Sequence, residues 1–148
     1  MGYREIIRFG DPLLQKKSRQ VEIFDEKLAR LLDDMRETLR RSEGVGLAAV
    51  QVGVLRRAIV MDCGDGFIEL INPELTFEQG EQRDKEGCLS LPGQSGITLR
   101  PAVVKVKAQD RYGKWHVYKG AGLKARCFCH ELDHLDGILF TQRLAGRG

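Results

Sequence analysis

One stretch constrains what this 148-residue chain can fold into more than any other: the residues His130, Glu131, Leu132, Asp133 and His134. Two histidines four residues apart lie on the same face of a helix, with their β-carbons about 5–6 Å apart. Both imidazoles can then bind one metal ion, and the glutamate beside the first is placed to take a proton from a water on that metal. The stretch therefore predicts a helix that carries part of a metal site.

A second helix is predicted near the N-terminus, where apolar residues recur at helical spacing. They form one stripe, made of Leu28, Leu31, Leu32, Met35 and Leu39. Asp25 ahead of them is a favourable N-cap, so we expect this helix to begin there, to end near Arg41 and to pack through its stripe. The helix with the two histidines should begin near Leu123 and stop at Gly137, because glycine commonly follows the last turn of a helix.

Between the two helices the sequence has the patterns that antiparallel strands show. Five runs are predicted as strands, at residues 58–61, 67–71, 74–78, 103–108 and 115–118. Glycine-containing turns at 64–66 and 110–113 join two pairs of them into hairpins. We therefore expect one α+β domain over residues 1–148, with antiparallel sheets packed around the metal-binding helix.

Composition and charge exclude several classes of partner. The formal net charge of +3 is small and the basic residues are scattered, which does not favour nucleic acid. No apolar run approaches the roughly 20 residues of a membrane span, and the N-terminal residues lack the apolar core of a secretory signal. A cytoplasmic protein without disulfides is expected, in which Cys63 and Cys127 are small apolar packing residues.

The predicted metal site needs a third protein ligand, because a catalytic site usually combines three ligands with one open position. After His134 the chain contains no His or Glu, and Asp136 lies on the wrong side of the helix to share the metal. Upstream, Cys88 is the best candidate, since it lies between glycine and proline punctuation points and thiolates bind such metals strongly. Cys129, beside His130, points about a quarter-turn away and is expected to be packed.

The glycine-rich residues 44–53 allow two interpretations. They contain too many glycines for an ordinary helix, and their side chains are too small for an ordinary strand. The first interpretation is a tight loop before the next strand. The second is a loop that presents its backbone and the Gln51 amide to a ligand. A phosphate-binding loop is excluded, because no Gly-Lys-Ser/Thr sequence follows.

Three ordered stretches carry a resemblance to a known family. Residues 44–51 read Gly-x-Gly-Leu-Ala-Ala-x-Gln, residues 86–90 read Glu-Gly-Cys-Leu-Ser, and residues 130–134 read His-Glu-x-Asp-His. In this order they resemble the motifs of peptide deformylase, and similar segments between them extend the resemblance over nearly the whole chain. It implies a peptide deformylase-like fold and removal of the formyl group from the N-terminal formyl-methionine of newly synthesised proteins.

The resemblance also implies a metal and the residues that use it. The metal would be Fe(II), one per chain, with zinc, nickel or cobalt able to replace it, and its ligands would be Cys88, His130 and His134. Glu131 matches the general acid/base that acts on metal-bound water. The Gln51 amide and the Leu89 backbone N–H match the two donors that stabilise the oxyanion.

Substrate contacts are implied at seven further positions: Gly44, Val45, Gly46, Glu86, Gly87, Leu123 and Cys127. Of these, Val45, Leu123 and Cys127 align with the pocket for the methionine side chain, with core packing as the alternative for each. Asp133 is expected to orient one of the imidazoles. The implied partners are N-formyl-methionyl nascent chains near the ribosome exit, met by a monomer in the bacterial cytoplasm without specific nucleic-acid or membrane binding.

Some positions depart from the pattern of the family. Many members have Gln where this chain has Cys129, and some have Arg near the place of Gln94 and Ser95. The chain also stops soon after Phe140, without the long C-terminal helix of some members, which we expect not to affect the chemistry.

Two alternative functions follow from the same residues. A different small metallopeptidase would share His130, Glu131 and His134 but would not need Gln51 or Cys88. A catalytically inactive metal-binding relative would close its site with a fourth ligand such as Cys129.

Overall fold

The computed structural model describes residues 2–145. Helix α1 spans Glu26–Ser42 and helix α2 spans Leu123–Leu135. The strands are β1 Gly46–Ala48, β2 Ala58–Asp62, β3 Phe67–Gln79, β4 Gln82–Cys88, β5 Leu91–Arg100, β6 Val103–Gln109 and β7 Trp115–Ala121. Short 3-10 turns cover Pro12–Gln15, Ala49–Val52 and Phe140–Gln142. The α+β class predicted from the sequence is confirmed.

The strands form two antiparallel sheets. A five-stranded sheet has the order β1-β2-β3-β6-β7, and β4 and β5 form a separate two-stranded sheet. Strand β2 shows how the larger sheet is buried, because Ile59 and Met61 belong to the core under α2 while Ala58 and Val60 belong to the core under α1. Alternate side chains of a strand point to opposite faces. The sheet therefore lies between the two helices.

Helix α1 agrees with its prediction. Asp25 caps it, because its side chain accepts a hydrogen bond from the Leu28 N–H at 3.1 Å. All five residues of the predicted apolar stripe are buried. The helix ends at Ser42, where Glu43 takes a left-handed conformation with φ of 57°. The helix covers one face of the sheet, as the spacing of its apolar residues indicated.

Strand β3 corrects the prediction of two strands separated at Asn72. It is one strand that contains a register shift between Ile71 and Glu74, with Asn72 at a φ of 52°. The Asn72 side chain accepts from the Val21 N–H at 2.8 Å and donates to the Val21 carbonyl at 2.9 Å and to Gln109 at 2.8 Å. The Asn-Pro pair therefore marks a bulge that anchors the N-terminal segment.

The β4–β5 hairpin was missed from the sequence, which predicted only a polar segment before Glu86. Its strands expose most of their side chains, and the residues that they bury are polar, among them Glu86, Thr98 and Arg100. A strand whose inward face is polar shows no alternation of apolar residues, so the usual signal is lacking. Strand β1 was missed for a related reason, since Gly46–Ala48 consists of small residues but pairs with β2.

None of the helices in the part of the chain that the structure describes has the length and apolar character needed to cross a membrane.

Candidate metal centre

Cys88, His130 and His134 meet at one point of the fold. Cys88 ends β4, and the two histidines lie one turn apart on α2. Each residue offers one ligand atom, and these atoms all lie within 4.8 Å of one another. The Cys88 Sγ is 3.3 Å from the His134 Nε2. One thiolate and two imidazoles are ligands that zinc and other divalent transition metals accept, so the three residues could hold one such ion with a position left open.

The imidazole of His130 is held by a carboxylate from the other sheet. Its Nδ1 lies 2.5 Å from the Glu86 Oε2, which leaves the Nε2 to face the cluster. Burial alone would raise the pKa of Glu86, but hydrogen bonds with His130 and Arg100 lower it well below its usual range. Glu86 is therefore ionised at neutral pH and fixes both the ring orientation and the tautomer of His130.

Burial sets the protonation of the other two groups at the centre. It lowers the pKa of His134 to about 3, with a smaller electrostatic contribution from His130, so His134 is the neutral imidazole that a metal ligand must be. Burial also raises the pKa of Glu131 to about 7. Within residues 2–145, the Glu131 Oε1 has no hydrogen-bond partner. A buried carboxyl group with a pKa near neutrality can both take and give a proton.

Gln51 lies beside the thiol of Cys88 with its amide held in one orientation. Its Oε1 accepts from the Ala48 N–H at 2.9 Å, and its Nε2 donates to the Ser90 hydroxyl at 3.2 Å and lies 3.5 Å from the Cys88 Sγ. The amide N–H groups are therefore directed toward the cluster. Of the two interpretations of residues 44–53, the structure supports the one that presents the Gln51 amide at a site.

A cleft of about 760 Å³ opens onto the cluster. All seven predicted substrate-binding residues line it, together with Gln51, Cys88, Leu89, His130 and Glu131. Val45 and Leu123 are 39% and 56% exposed, which leaves their side chains accessible from solvent, whereas Cys127 is 4% exposed and also packs in the core under α2. His134 is 1% exposed and is therefore fully buried.

Gly46 shows how tightly the cleft wall is built. A Cβ atom at this position would lie 2.7 Å from both the Cys127 Sγ and the Glu131 Oε2. Real Cβ contacts are longer than this, so glycine lets β1 approach α2 this closely at the Glu131 carboxylate.

Two of the predicted contacts look different in the structure. Both oxygens of the Glu86 carboxylate accept bonds from protein groups. The prediction that Glu86 contacts the substrate therefore applies to its backbone and not to its side chain. The prediction that Asp133 orients an imidazole is wrong. Its carboxylate instead accepts from Arg100 at 2.7 Å and from Arg143 at 3.1 and 3.2 Å.

Sequence reasoning missed four residues around the centre: Ser90, Thr98, Arg100 and Arg126. Arg126 could have been found, because it precedes His130 by four residues and so shares its face of the helix. Ser90 and Arg100 lay in segments that resembled the family but received no role. The prediction that Asp136 lies away from the metal is confirmed, since it pairs with Arg57 at 3.0 Å.

Comparisons with known proteins agree with this geometry. Residues 3–148 match the sequence model of the family described as Polypeptide deformylase. The peptide deformylase of Alkaliphilus metalliredigens is 55% identical over 97% of this chain and 98% of its own length. That of Caldicellulosiruptor bescii is 52% identical over 97% of this chain and 87% of its own length.

Solved structures give the same result. The crystal structure of the peptide deformylase from Thermotoga maritima covers 99% of this chain and 100% of its own, with a TM-score of 0.96 and 39% identity. The enzyme from Synechococcus elongatus, in complex with actinonin, covers 97% of this chain and 80% of its own, with a TM-score of 0.93 and 35% identity. The chain belongs to the peptide deformylase family.

Proposed function

We propose that Cys88, His130 and His134 hold one divalent metal ion and that Glu131 is the general acid/base of a deformylation reaction. As a peptide deformylase, the chain is a hydrolase that removes the formyl group from N-terminal formyl-methionine and releases formate. The observation that carries the residue assignment is the meeting of the three ligand atoms, within 4.8 Å of one another, beside the buried Glu131 carboxyl group. One oxygen of that group has no hydrogen-bond partner in the part of the chain that the structure describes.

The donor set fits a divalent ion. The thiol of Cys88 can bind as a thiolate, and the Glu86 carboxylate turns the Nε2 of His130 toward the cluster. When bound, the ion would supply a Lewis acid that makes water more acidic and polarises a carbonyl group. We propose Fe(II) as the native ion, with zinc, nickel or cobalt as substitutes, because these metals accept mixed sulfur and nitrogen ligands.

Glu131 moves the proton that the reaction requires. Hydrolysis of a formamide consumes one water, whose proton must finally reach the leaving amine, since an amine anion is a poor leaving group. A carboxyl group with a pKa near 7 can accept that proton and then deliver it. Its burial and its position against Gly46 keep the carboxylate at one place in the cleft wall.

Gln51 and the Leu89 backbone N–H stabilise the negative charge that develops on the formyl oxygen. The Gln51 amide is preorganised by its bonds to Ala48 and Ser90, so it needs no rearrangement as the charge forms. Removing one such donor typically costs about 3–4 kcal/mol of transition-state stabilisation. Leu89 follows Cys88 directly and lines the same cleft.

The cleft wall made by Val45, Leu123 and Cys127 is the proposed pocket for the methionine side chain, because it combines accessible apolar surface with a polarizable sulfur. Gly44, Gly46, Glu86 and Gly87 would contact the substrate through their backbone.

We further propose that residues 1–148 act as a single catalytic domain and as a monomer in the bacterial cytoplasm. Its substrates would be formylated nascent chains near the ribosome exit. Neither a different metallopeptidase nor an inactive metal-binding relative is favoured by the family comparisons.

The proposal is tested by formate release from formyl-Met-Ala-Ser with protein loaded anaerobically with Fe(II). Anaerobic handling matters because oxidation of iron or of Cys88 would imitate an inactive enzyme. We expect turnover by the wild type, and loss of both metal and turnover in Cys88→Ser. Cys129→Ser serves as the control, because that thiol is packed in the core. Metal content and activity that are unchanged in Cys88→Ser would contradict the assignment.

A further inference from the structure

The metal cluster takes its ligands from two separate parts of the fold. His130 and His134 belong to α2, which packs on the five-stranded sheet, whereas Cys88 ends β4 in the two-stranded sheet. Three ligands bind one ion tightly only when their positions are fixed to within a fraction of an ångström. Contacts other than the ligands must therefore hold the β4–β5 hairpin against α2.

Arg126 makes such contacts with both strands of the hairpin. It lies one turn before His130 on α2 and is 4% exposed. Its Nη1 donates to the Glu86 Oε1 at 2.9 Å and to the Thr98 hydroxyl. Its Nη2 donates to the Gln82 Oε1 at 3.2 Å and the Thr98 carbonyl at 3.4 Å. The planar guanidinium can satisfy these acceptors together, which a lysine cannot do.

A second tie lies further along the helix. Arg100 on β5 binds both oxygens of the Glu86 carboxylate, through its Nη2 at 2.6 Å and its Nε at 3.1 Å. Its Nη1 donates to Asp133 on α2 at 2.7 Å. Arg126 and Arg100 thus join the hairpin to α2 on the two sides of His130. The pair of Glu86 with His130 also joins the hairpin to α2, and Glu86 is itself held by both arginines. Loss of Arg126 would therefore leave the hairpin attached but would fix Cys88 and Glu86 less closely relative to the two histidines.

We propose that Arg126 is a positioning residue for the metal centre, which it serves by docking the hairpin that carries Cys88 and by holding Glu86 against His130. This inference rests on the proposed metal site. A purely structural role would also bury an Arg–Glu pair, but it would affect only the stability of the fold. A positioning role must in addition change how tightly, and with which geometry, the three ligands bind a metal.

The test compares Arg126→Met and Arg126→Lys with Arg111→Met as a matched control. Arg111 is an arginine that likewise binds a glutamate, at 2.8 and 2.9 Å from Glu69, but none of its bonds within the described residues reaches the metal centre. For each protein we would measure Co(II) affinity by competition with a chelator, the thiolate-to-Co(II) charge-transfer absorption, and the melting temperature of the metal-free protein.

We expect Arg126→Met to bind Co(II) about 10–100-fold more weakly, the range typical of residues that orient metal ligands, and to lose charge-transfer intensity. Arg126→Lys keeps the charge but loses the two separate Nη groups that bind Glu86, Thr98 and Gln82, so its affinity should lie between those of Arg126→Met and the wild type. Arg111→Met should lower the melting temperature while it keeps wild-type affinity and absorption.

The possible outcomes distinguish a failure of the positioning role from a failure of the proposed metal site. Wild-type affinity and absorption in Arg126→Met, or equal losses in Arg126→Met and Arg111→Met, would overturn the positioning role. If Arg126→Met does not fold, Arg126→Lys decides, and wild-type affinity in that variant has the same meaning. A wild-type protein that binds Co(II) without a thiolate band would defeat the metal assignment itself, and this inference with it.

Discussion

At the scale of single residues, the environment of Glu131 suits its proposed role as the general acid/base. It is 3% exposed, and burial raises its pKa to about 7. Among residues 2–145 no group bonds its Oε1, and a buried polar atom without a hydrogen bond destabilises a fold by about 1–3 kcal/mol. Such an atom is tolerated where a water or substrate provides the missing partner.

The first prediction removes the proposed acid/base function of Glu131 and keeps the shape of its side chain. Glu131→Gln should keep its metal and lose about 10²–10⁴-fold in kcat, the usual contribution of a positioned acid or base. Metal content by atomic absorption and steady-state kinetics on formyl-Met-Ala-Ser measure the two effects separately. The same variant should unfold no more easily than the wild type, because an amide is easier to bury than a carboxylate. Turnover within a few-fold of the wild type would exclude Glu131 as the acid/base.

Gly46→Ala tests the close approach of β1 to that carboxylate. The added methyl group would meet the Cys127 Sγ and the Glu131 Oε2 at 2.7 Å, so it must displace both. We expect a loss of about 1–3 kcal/mol in the free energy of unfolding, as for other overpacked sites, together with a lower kcat. Removing the sulfur in Gly46→Ala/Cys127→Ala should recover part of the stability but not the kcat. Recovery of both would mean that Cys127, and not Glu131, bears the strain.

The residues of the centre differ in how far the sequence reveals them. The two histidines and Glu131 are recognisable because their spacing on a helix has one mechanical meaning. Cys88 required elimination and the resemblance to the family. The spacing of Arg126 to His130 is visible in the sequence, but its contact with Glu86 is not. Glu86 binds Thr98, Arg100 and Arg126, which come from segments that only the folded chain brings together.

At the scale of elements, the predicted helices and hairpins agree with the structure where apolar periodicity was strong. The stripe of α1 and the alternation of β6 and β7 each reflect one face buried in a core. The β4–β5 hairpin lacks such periodicity, because its inward side chains form ion pairs with α2 and contribute no apolar pattern. The bulge in β3 was likewise hidden, since Asn-Pro is usually read as the end of a strand.

A prediction about stability concerns Gly137, which follows the last turn of α2. Gly137 has a φ of 74°, and a Cβ there would lie 2.5 Å from the Gln15 carbonyl oxygen. Gly137→Ala therefore meets both backbone strain and a rigid neighbour, and it should cost more than the roughly 1–2 kcal/mol of the left-handed conformation alone. Gly113→Ala is the matched control, because its φ is 85° but its nearest neighbour is the Phe24 ring at 3.7 Å. Urea unfolding of the two variants should show the larger loss for Gly137→Ala, and equal losses would show that the close contact relaxes freely.

At the scale of the whole molecule, the proposed metal links two parts that the apolar core joins only weakly. Both helices pack on the five-stranded sheet through buried apolar residues. The β4–β5 hairpin instead meets α2 through polar groups, and its exposed Ile97 and Leu99 take no part in the two cores. Regions with few buried apolar contacts open at lower free energy than the core does.

Metal removal should therefore affect the hairpin before the rest of the fold. A bound ion stabilises only states in which Cys88 and the two histidines are assembled, and these states require the hairpin to be docked. We expect chelation to speed amide hydrogen exchange in β4 and β5 by a larger factor than in α1, whose burial does not depend on the ion. Cys88→Ser should show the fast pattern with or without added metal. Exchange that rises equally in β4, β5 and α1 would mean that the ion stabilises the fold as one cooperative unit, and that the hairpin is not held separately.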